Sequence, residues 1–279
     1  MSGTLFVVAT PIGNLEDLAP RARQTLGDVD LIAAEDTRRT RRLLSHFGIK
    51  TPLMALHEHN ENEQADKLVA RLAAGESLAL VSDAGTPLVS DPGFRLVQAA
   101  HREGIPVSPI PGASAVTAAL SVAGLPTDRF SFEGFLPARQ GARRERLAAL
   151  ASEARTMVFY ESVHRIQACI DDMIAAFGAD RAAFLGRELT KLHEQPVHAM
   201  LGSLGELLRT GEIVQKGEFV LVVAGSGKRT QTSIDVDHLL VELADKLPGK
   251  EVARLLARAT GEKRNSLYAR LLELRKAET

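Results

Sequence analysis

The chain has 279 residues, 45% of them hydrophobic and 25% charged, with a formal net charge of -1 at pH 7, which is enough apolar sequence for two domains and a small additional unit. Its single cysteine, Cys169, excludes an internal disulfide and a thiolate metal cluster, and its place in a helix-like apolar pattern favours a buried structural thiol. The sequence contains no secretory segment and no long apolar span, so we expect a cytoplasmic protein without a membrane segment.

Short apolar runs alternate with amphipathic segments through the first 124 residues. The runs predict strands over 5–9, 30–34, 53–56, 78–81 and 107–110, and the amphipathic segments predict helices over 62–74 and 92–103. Alternation at this spacing implies right-handed βαβ crossovers and a mainly parallel sheet. We therefore predict an α/β domain over residues 1–124.

The pattern changes after Leu125-Pro126-Thr127-Asp128, which indicates a boundary. Strands are predicted over 130–135, 156–160, 181–185, 197–201 and 218–223, with helices over 143–154, 163–177 and 203–209. Several of these strands are joined by short links, which favours a mixed sheet over a second parallel one. Residues 125–226 are therefore predicted to form a second α/β domain.

The remaining residues predict a small helical unit. A polar linker over 227–234 leads to a helical domain over 235–279, with helices expected over 238–246, 249–259 and 263–276. A glycine-containing turn joins the last two helices in the manner of a helix-turn-helix, and eleven Lys and Arg against eight Asp and Glu from Ser226 onward favour an anionic partner. A packing or dimerisation module is the alternative.

Polar residues and glycines follow two strands of the first domain. Asp83, Gly85 and Thr86 come after the run 78–81, and Gly112 and Ser114 come after the run 107–110. Ligands bind parallel sheets beyond the carboxyl ends of their strands, and glycine lets backbone approach a ligand closely. Turns without a ligand use the same residue types, but two such turns in adjacent units favour a binding site.

Several common site chemistries lack their motifs. The turn Thr10–Asn14 has no G-x-G-x-x-G for a dinucleotide, Gly227-Lys228 is not followed by the Ser or Thr of a phosphate-binding loop, and no G-x-S-x-G is present. His57 and His59 would share one face of a strand, yet exposed histidines are commoner than metal ligands. We predict no metal and a cleft that needs no protein nucleophile.

Two groups of arginines follow predicted strands and would suit a polyanion. They comprise Arg38 and Arg39, with Arg41 and Arg42, after Glu35-Asp36-Thr37, and Arg139, Arg143 and Arg144, with Arg146, after Phe135-Leu136-Pro137. Arginine contacts to phosphates fix the position of a nucleic acid without reading its bases. Ion pairs with neighbouring carboxylates are the alternative, especially for the first group.

Ordered motifs along nearly the whole chain resemble one family. They are T-P-I-G-N-L-x-D from Thr10, A-E-D-T-R from Ala34, V-S-D-A-G-T-P-L-V-S-D-P-G from Val81, P-G-A-S-A from Pro111, F-E-G-F-L-P from Phe132 and F-Y-E-S-V-H-R from Phe159. They resemble the ribosomal RNA small-subunit methyltransferase I family of the tetrapyrrole methylase superfamily. The resemblance implies S-adenosylmethionine-dependent methylation of the ribose 2'-hydroxyl of a decoding-region (P-site) cytidine in 16S rRNA, within the 30S subunit. It also implies a homodimer whose subunits bind the methyl donor in a cleft between their two α/β domains.

The resemblance also implies site residues. Gly85-Thr86-Pro87 stands where the superfamily has G-D-P, with Thr86 in place of the acid. The donor-binding residues carried over are Pro11, Gly13, Asp83, Ala84, Gly85, Thr86, Ser114, Ala115, Tyr160, Glu161, Glu188, Leu189, Gly217 and Glu218. The RNA contacts expected are Arg38, Arg39, Arg139, Arg143, Arg144, Lys263 and Arg264.

Methyl transfer to a hydroxyl is helped by a proton acceptor. Four carboxylates in motif stretches are predicted to fall at strand ends: Glu133, Glu161, Asp36 and Glu188. Of these we select Glu133 as the catalytic candidate, with an ion pair or helix cap as the alternative for each. Two other functions stay open at this point: a methylase of a tetrapyrrole or another small molecule, and a non-catalytic rRNA-binding assembly factor.

Overall fold

The computed structural model describes residues 2–227, 236–260 and 262–277. The chain divides into two compact units, residues 1–226 and residues 227–279. Apart from Gly227, the linker predicted over 227–234 lies outside the described residues, as does Gly261 of the predicted helix-turn-helix turn.

The first sheet consists of β1 (Leu5–Val8), β2 (Leu31–Ala34), β3 (Leu53–Ala55), β4 (Leu78–Val81) and β5 (Val107–Ile110). Its strands lie in the order β3-β2-β4-β1-β5 and are all parallel. The helices of this half are α1 (Pro20–Asp28), α2 (Thr37–His46), α3 (Glu61–Ala73), α4 (Phe94–Arg102) and α5 (Ala115–Val122). The predicted parallel α/β arrangement is confirmed. Every residue of β2 and β4 is buried, as strands covered on both faces require.

The two faces of this sheet are covered by different helices. Side chains of α1 and α2 pack on one face, around Leu26 and Leu44, and those of α3 and α4 pack on the other, around Leu68 and Leu96. The neighbouring strands β1 and β4 therefore lead to helices on opposite faces, which opens a crevice at their carboxyl ends. Thr10 and Gly85 exchange two backbone hydrogen bonds across it, 2.8 and 3.1 Å long.

The second sheet consists of β6 (Phe130–Phe135), β7 (Thr156–Ser162), β8 (Ala182–Arg187), β9 (Gln195–Met200) and β10 (Glu218–Val223), in the order β6-β7-β10-β8-β9. The pair β6 and β7 is parallel and the other pairs are antiparallel, which confirms the predicted mixed sheet. Three helices, α6 (Gln140–Leu150), α7 (Ile166–Phe177) and α8 (Leu201–Thr210), follow its strands.

Each face of the second sheet has its own core. In β7, Met157 and Phe159 point toward α6, α7 and α8, while Val158 and Tyr160 point the other way, as alternation along a strand requires. On that other face, Val116 and other side chains of α5 pack against the sheet. Since α5 belongs to the first half of the chain, this cluster joins the second sheet to the first half within residues 1–226.

The second compact unit contains α9 (Val236–Ala244), α10 (Gly249–Thr260) and α11 (Arg264–Ala277). Its core is built from apolar side chains of all three helices, among them Leu240, Val252, Leu256, Leu267 and Leu271. Three short helices can bury a core only against one another, so this unit has its own packing. In the described parts of both units, none of the helices has the length and apolar character needed to span a bilayer.

Candidate active site

A cleft of about 400 Å³ lies at the carboxyl ends of the first sheet, beside the α5-facing side of the second sheet. The first half of the chain lines it with Ile12, Glu35, Arg39, Asp83, Ala84, Gly85, Thr86, Val89, Ser90, Asp91, Ser114 and Ala115. The second half contributes Phe135, Tyr160, Glu161, Ser162, Val163, Gly186, Leu189, Gly217, Glu218, Phe219 and Val220. Its volume is that of a small-molecule site, and its mixture of apolar walls with a few charged groups is typical of one.

The segment between β4 and α4 forms one wall and holds an uncommon backbone. Leu88 and Ser90 have φ angles of 71° and 69°, a left-handed conformation that costs side-chain-bearing residues about 1–3 kcal/mol each. The buried carboxylate of Glu61 holds the end of this segment, because its Oε1 accepts hydrogen bonds from the amides of Gly93 (3.1 Å) and Arg95 (2.7 Å). The wall is therefore fixed by contacts from α3.

Three carboxyl groups of this wall and of the β2 end face the cleft, and of these only Asp83 was predicted from the sequence. Asp83 accepts a hydrogen bond from the amide of Asp36 (3.0 Å) and lies 3.4 Å from Arg39. Burial raises the pKa of Glu35, and the charge of Asp83 adds to that effect. Burial likewise raises the pKa of Asp91 to about 6, with further contributions from Glu35 and Asp83. Glu35 and Asp91 were not predicted as site residues, although Glu35 lies in the motif A-E-D-T-R and Asp91 in V-S-D-A-G-T-P-L-V-S-D-P-G.

Aromatic side chains form the opposite wall. Tyr160 meets Phe132 and Phe135 edge to face, with ring centroids 5.0 and 5.5 Å apart. Phe135 is 56% exposed although it is large and apolar, which leaves one ring at the cleft open to a ligand. Burial, followed by the charge of Asp91, raises the pKa of Tyr160 to about 12, so its hydroxyl stays protonated at neutral pH.

The segment after β8 and the start of β10 meet at Lys191, next to residues that line the cleft. Its Nζ lies 2.8 Å from Glu188 Oε1 and 2.9 Å from Glu218 Oε2. Burial disfavours the charge of Glu188, but hydrogen bonds from Lys191 and from the Glu218 amide outweigh it and lower the pKa. A Cβ at Gly13 would overlap the Lys191 side chain, and a Cβ at Gly217 would overlap Glu188. Close packing explains glycine at both positions.

The structure brings most of the predicted donor-binding residues together at this cleft. The exceptions are Pro11, Gly13 and Glu188, which do not line it, although Gly13 and Glu188 contact the Lys191 cluster. Thr86 turns its hydroxyl to the carbonyl of Ala113 (3.2 Å), so it joins the loops after β4 and β5. At this position, where the superfamily has an acid, the threonine hydroxyl instead links two loops by a hydrogen bond.

Glu133, the predicted catalytic group, lies outside the lining of the cleft. It lies where the register of β6 and β7 shifts, between Phe132 and Gly134. Its side chain is 8% exposed and bonds Arg146 at 2.6 Å. The ion-pair alternative therefore holds for this residue.

The other three predicted carboxylates also form ion pairs with basic side chains. Asp36 caps α2 through the amide of Arg38 and bonds its guanidinium, and these bonds lower the pKa of Asp36 to about 2. The carboxylate of Glu161 points to the α7 side of the sheet, where Arg165 binds it at 2.6 Å. Glu161 lies near the end of β7 and is one of the residues that line the cleft. Glu188 belongs to the Lys191 cluster.

The arginines predicted to contact RNA separate into exposed and buried groups. Arg143 does not match the prediction of an exposed RNA contact: its side chain is 4% exposed and its guanidinium bonds Asp172 at 2.6 Å, so it is part of the core. Arg144 bonds the same carboxylate but is 60% exposed. Arg38 and Arg139 are exposed, and Arg39 lies at the cleft. In the helical unit, Lys263 and Arg264 are exposed.

The histidines considered as metal ligands do not share a strand. His57 and His59 follow the end of β3, with ring centroids 6.0 Å apart, and Asn60 Oδ1 accepts a hydrogen bond from the His57 amide. The prediction of a common strand face was wrong because β3 ends two residues before His57. Among the described residues, no group of three or more ligand side chains is arranged for a metal.

Two family models match the chain. One, described as Tetrapyrrole (Corrin/Porphyrin) Methylases, matches residues 4–205, and the other, described as RsmI C-terminal HTH domain, matches residues 230–275. Proteins named ribosomal RNA small subunit methyltransferase I are similar over almost the full length. The chain is 53% identical to that of Xylella fastidiosa, over 95% of this chain and 98% of the relative, and 50% identical to that of Pseudomonas aeruginosa, over 98% of both.

Solved structures with a similar fold include uroporphyrin-III C-methyltransferase from Thermus thermophilus. One crystal structure of that enzyme superposes with a TM-score of 0.57 over 81% of this chain and 96% of that one, at 20% identity. Another, complexed with S-adenyl homocysteine, has a TM-score of 0.54 over 80% and 97%, at 19% identity. At these identities the likeness concerns the fold.

Proposed function

This chain belongs to the ribosomal RNA small subunit methyltransferase I family of tetrapyrrole (corrin/porphyrin) methylases, and on that premise we propose that it methylates the ribose 2'-hydroxyl of a decoding-region (P-site) cytidine in 16S rRNA. It is an S-adenosylmethionine-dependent methyltransferase of small-subunit ribosomal RNA. The observation that carries the proposal is the coexistence, in one chain, of the cleft with a helical unit that matches the helix-turn-helix model.

The residues of the cleft fit the methyl donor. S-adenosylmethionine, when bound, supplies an electrophilic methyl group on a positively charged sulfur. The carboxyl groups of Glu35, Asp83 and Asp91 give the cleft an acidic wall that favours such a cation, and the loops at Gly85 and Ser114 offer backbone groups that can hold polar parts of a ligand. Because Thr86 binds Ala113, donor binding at this loop relies on backbone groups more than on a carboxylate.

The chain's contribution to the reaction is orientation. Displacement at a methyl carbon needs the attacking oxygen, the carbon and the leaving sulfur in line at near-attack distance, and holding them so removes much of the barrier. Strained turns anchored by Glu61 on one side and the Lys191 cluster on the other give the cleft fixed walls for this purpose. The apolar side chains of Val89, Leu189 and Val220 exclude water from it.

Basic side chains outside the core supply the contacts to RNA in this proposal. Arg38, Arg39, Arg139 and Arg144 carry exposed guanidinium groups on the first unit, and such groups bind phosphates without reading sequence. We also propose that the substrate is the 30S subunit, that the enzyme works without a metal as a homodimer, and that it acts in the cytoplasm. Light scattering of the purified protein tests the dimer.

The substrate is tested with methyl-labelled S-adenosylmethionine offered in parallel with naked 16S rRNA, assembled 30S subunits and a porphyrinogen. We expect label in the 30S subunit, at one cytidine whose phosphodiester bond resists alkaline hydrolysis because its 2'-oxygen is methylated. Label on the porphyrinogen alone would establish the small-molecule alternative. Donor binding in calorimetry without label on any acceptor would support the non-catalytic alternative.

The helical unit is tested by changing Lys263 and Arg264 to Ala. We expect weaker RNA binding and a shallower dependence of affinity on salt, by about one unit of slope for each phosphate that the variant no longer neutralises, with unchanged affinity for the donor. Arg254→Ala is the matched control, because Arg254 is also exposed on this unit but is paired with Glu251 at 2.6 Å. If RNA affinity is the same in all variants, the unit is a packing module.

A further inference from the structure

A second cavity lies at the edge of the first sheet opposite to the cleft. It has a volume of about 270 Å³ and lies where α2 ends and β3 begins, because α2 runs back from the carboxyl end of β2 to the amino end of β3. Its lining, which we call the α2–β3 pocket, consists of Arg41, Leu44, Ser45, Ile49, Lys50, Thr51, Pro52 and Leu53. Arg41, Ser45 and Lys50 are exposed, so the pocket opens to solvent.

The charge of this pocket is opposite to that of the cleft. The described residues that line the cleft include five acids and one basic residue, Arg39, whereas those that line the α2–β3 pocket include Arg41 and Lys50 and no acid. In the parts of the chain that the structure describes, neither Arg41 nor Lys50 forms an ion pair, although Arg38 and Arg39 on the same helix are paired with carboxylates. An anion can therefore bind both cations without displacing a carboxylate.

The end of α2 is closed by its own turn. Gly48 has a φ of 70°, a left-handed conformation that glycine adopts without strain. Its amide donates to the carbonyl of Ser45 (3.2 Å), and the amide of Ile49 donates to the carbonyl of Leu44 (2.9 Å), which together form a Schellman motif. These bonds occupy carbonyl groups whose partial negative charge at a helix end would otherwise oppose an anion. Lys50 follows this turn directly.

The neutral residues give the pocket a fixed floor. Leu44 is 3% exposed, and Ile49 and Leu53 pack against the core of the same sheet face. The hydroxyl of Thr51 donates to the carbonyl of Leu26 on α1 (2.7 Å), which joins the start of β3 to that helix. Two cations above a floor of this kind fit an oxyanion such as a phosphate group.

Exposed arginines on α2 connect this pocket with the cleft. Positions three or four apart share a face of a helix, so Arg38, Arg41 and Ser45 form one row and Arg39 and Arg42 form the next. The helix contains no acidic residue. Arg39 lines the cleft, and from there to Ser45 the helix rises about 9 Å. A nucleic acid strand that reaches the cleft can therefore continue along α2 to the α2–β3 pocket.

We propose that the α2–β3 pocket binds a backbone phosphate of the substrate rRNA, away from the nucleotide that is methylated; this rests on the proposed function. Arg41 and Lys50 bind the phosphate oxygens through charge-assisted hydrogen bonds. Contacts of this kind fix the position of the RNA and carry no base recognition. The pocket therefore contributes to the affinity for rRNA and leaves donor binding and the methyl transfer step to the cleft.

The test compares the double variant Arg41→Gln/Lys50→Gln with the wild type in binding of 16S rRNA at several salt concentrations and in methylation of 30S subunits. We expect rRNA binding roughly 10-fold weaker and a salt slope shallower by about 0.7–0.9, the contribution of one neutralised phosphate. KM for the 30S subunit should rise by a similar factor at unchanged kcat, because the contact is the same before and during the reaction. Donor affinity in calorimetry should equal that of the wild type.

The matched control is Lys67→Gln/Arg102→Gln. It also removes two exposed positive charges, but from α3 and α4 on the other face of the sheet, where both are paired with carboxylates. Arg41→Lys, which keeps the charge, should retain most of the affinity, and thermal melting should show that every variant folds like the wild type.

Wild-type rRNA affinity and salt slope in the pocket variant, or an equal loss in the control variant, would overturn the inference. If the wild-type protein binds 16S rRNA but labels none, the proposed function fails, and the binding comparison still decides the inference. If it binds no rRNA at all, both fail.

Discussion

Arg143→Ala should destabilise the first unit far more than Arg144→Ala, although both arginines bind the same carboxylate. Arg143 donates from Nε to Asp172 Oδ2 at 2.8 Å, and the two side chains are 4% and 2% exposed. Arg144 donates from Nε to Oδ1 at 2.7 Å from an exposed position. The two variants therefore compare the loss of a buried arginine with the loss of an exposed arginine at the same carboxylate.

The expected losses in the free energy of unfolding differ several-fold between the two variants. Removing one partner of a buried ion pair costs about 3–5 kcal/mol, and because Arg144 still binds Asp172 we expect the lower end for Arg143→Ala. An exposed pair contributes about 1 kcal/mol or less, so Arg144→Ala should change stability little. For a unit of this size the first change corresponds to a fall in Tm of roughly 6–12 °C.

Urea denaturation followed by far-ultraviolet circular dichroism measures both variants, with RNA binding recorded in parallel. We expect Arg143→Ala to lower the free energy of unfolding and Arg144→Ala to lower RNA affinity in a stable protein. Burial raises the pKa of Asp172, but the bonds from Arg144 and Arg143 outweigh it and the net shift is downward. The stabilisation is therefore fully present above about pH 4, the pKa of an aspartate in the unfolded chain. It is lost as the pH falls through the lower pKa that Asp172 has in the folded protein. Equal stability of the two variants would refute this reasoning.

Three further predictions concern single groups. Cys169 is buried and burial raises its pKa, so a thiol reagent should react at least 100-fold more slowly with native protein than with protein in urea; equal rates would show an accessible thiol. In a Tyr268→Phe variant, the absorbance at 295 nm should report Tyr160 alone and rise with a midpoint near pH 12, and a midpoint near 10 would contradict the burial of its hydroxyl. Gly217→Ala should weaken donor binding about 5- to 150-fold in calorimetry, because φ is +87° and the new Cβ overlaps Glu188. The control Gly211→Ala has a similar φ of +81° in open space and should bind normally.

The order of strands and helices, and the two kinds of sheet, followed from the sequence. Runs such as 78–81 and 107–110 are apolar and bounded by glycine or proline, so their structure depends on local residue types and periodicity. The loops at Gly85 and Ser114 could be assigned to a cleft for the same reason, because the carboxyl ends of neighbouring parallel strands must meet at one edge. The ordered motifs then identified the family.

The chemistry inside that cleft was decided only by the tertiary structure. Arg143 is held by Asp172, a residue 29 positions away, instead of facing a polyanion, and Glu133 is held by Arg146. Glu35, Asp83 and Asp91 all lie in sequence motifs, yet only the folded structure shows that they line one cleft and that the guanidinium group of Arg39 pairs with Asp83. The charge and basicity of a carboxylate depend on burial and on partners brought from other elements, and these are properties of the folded chain that local sequence does not encode.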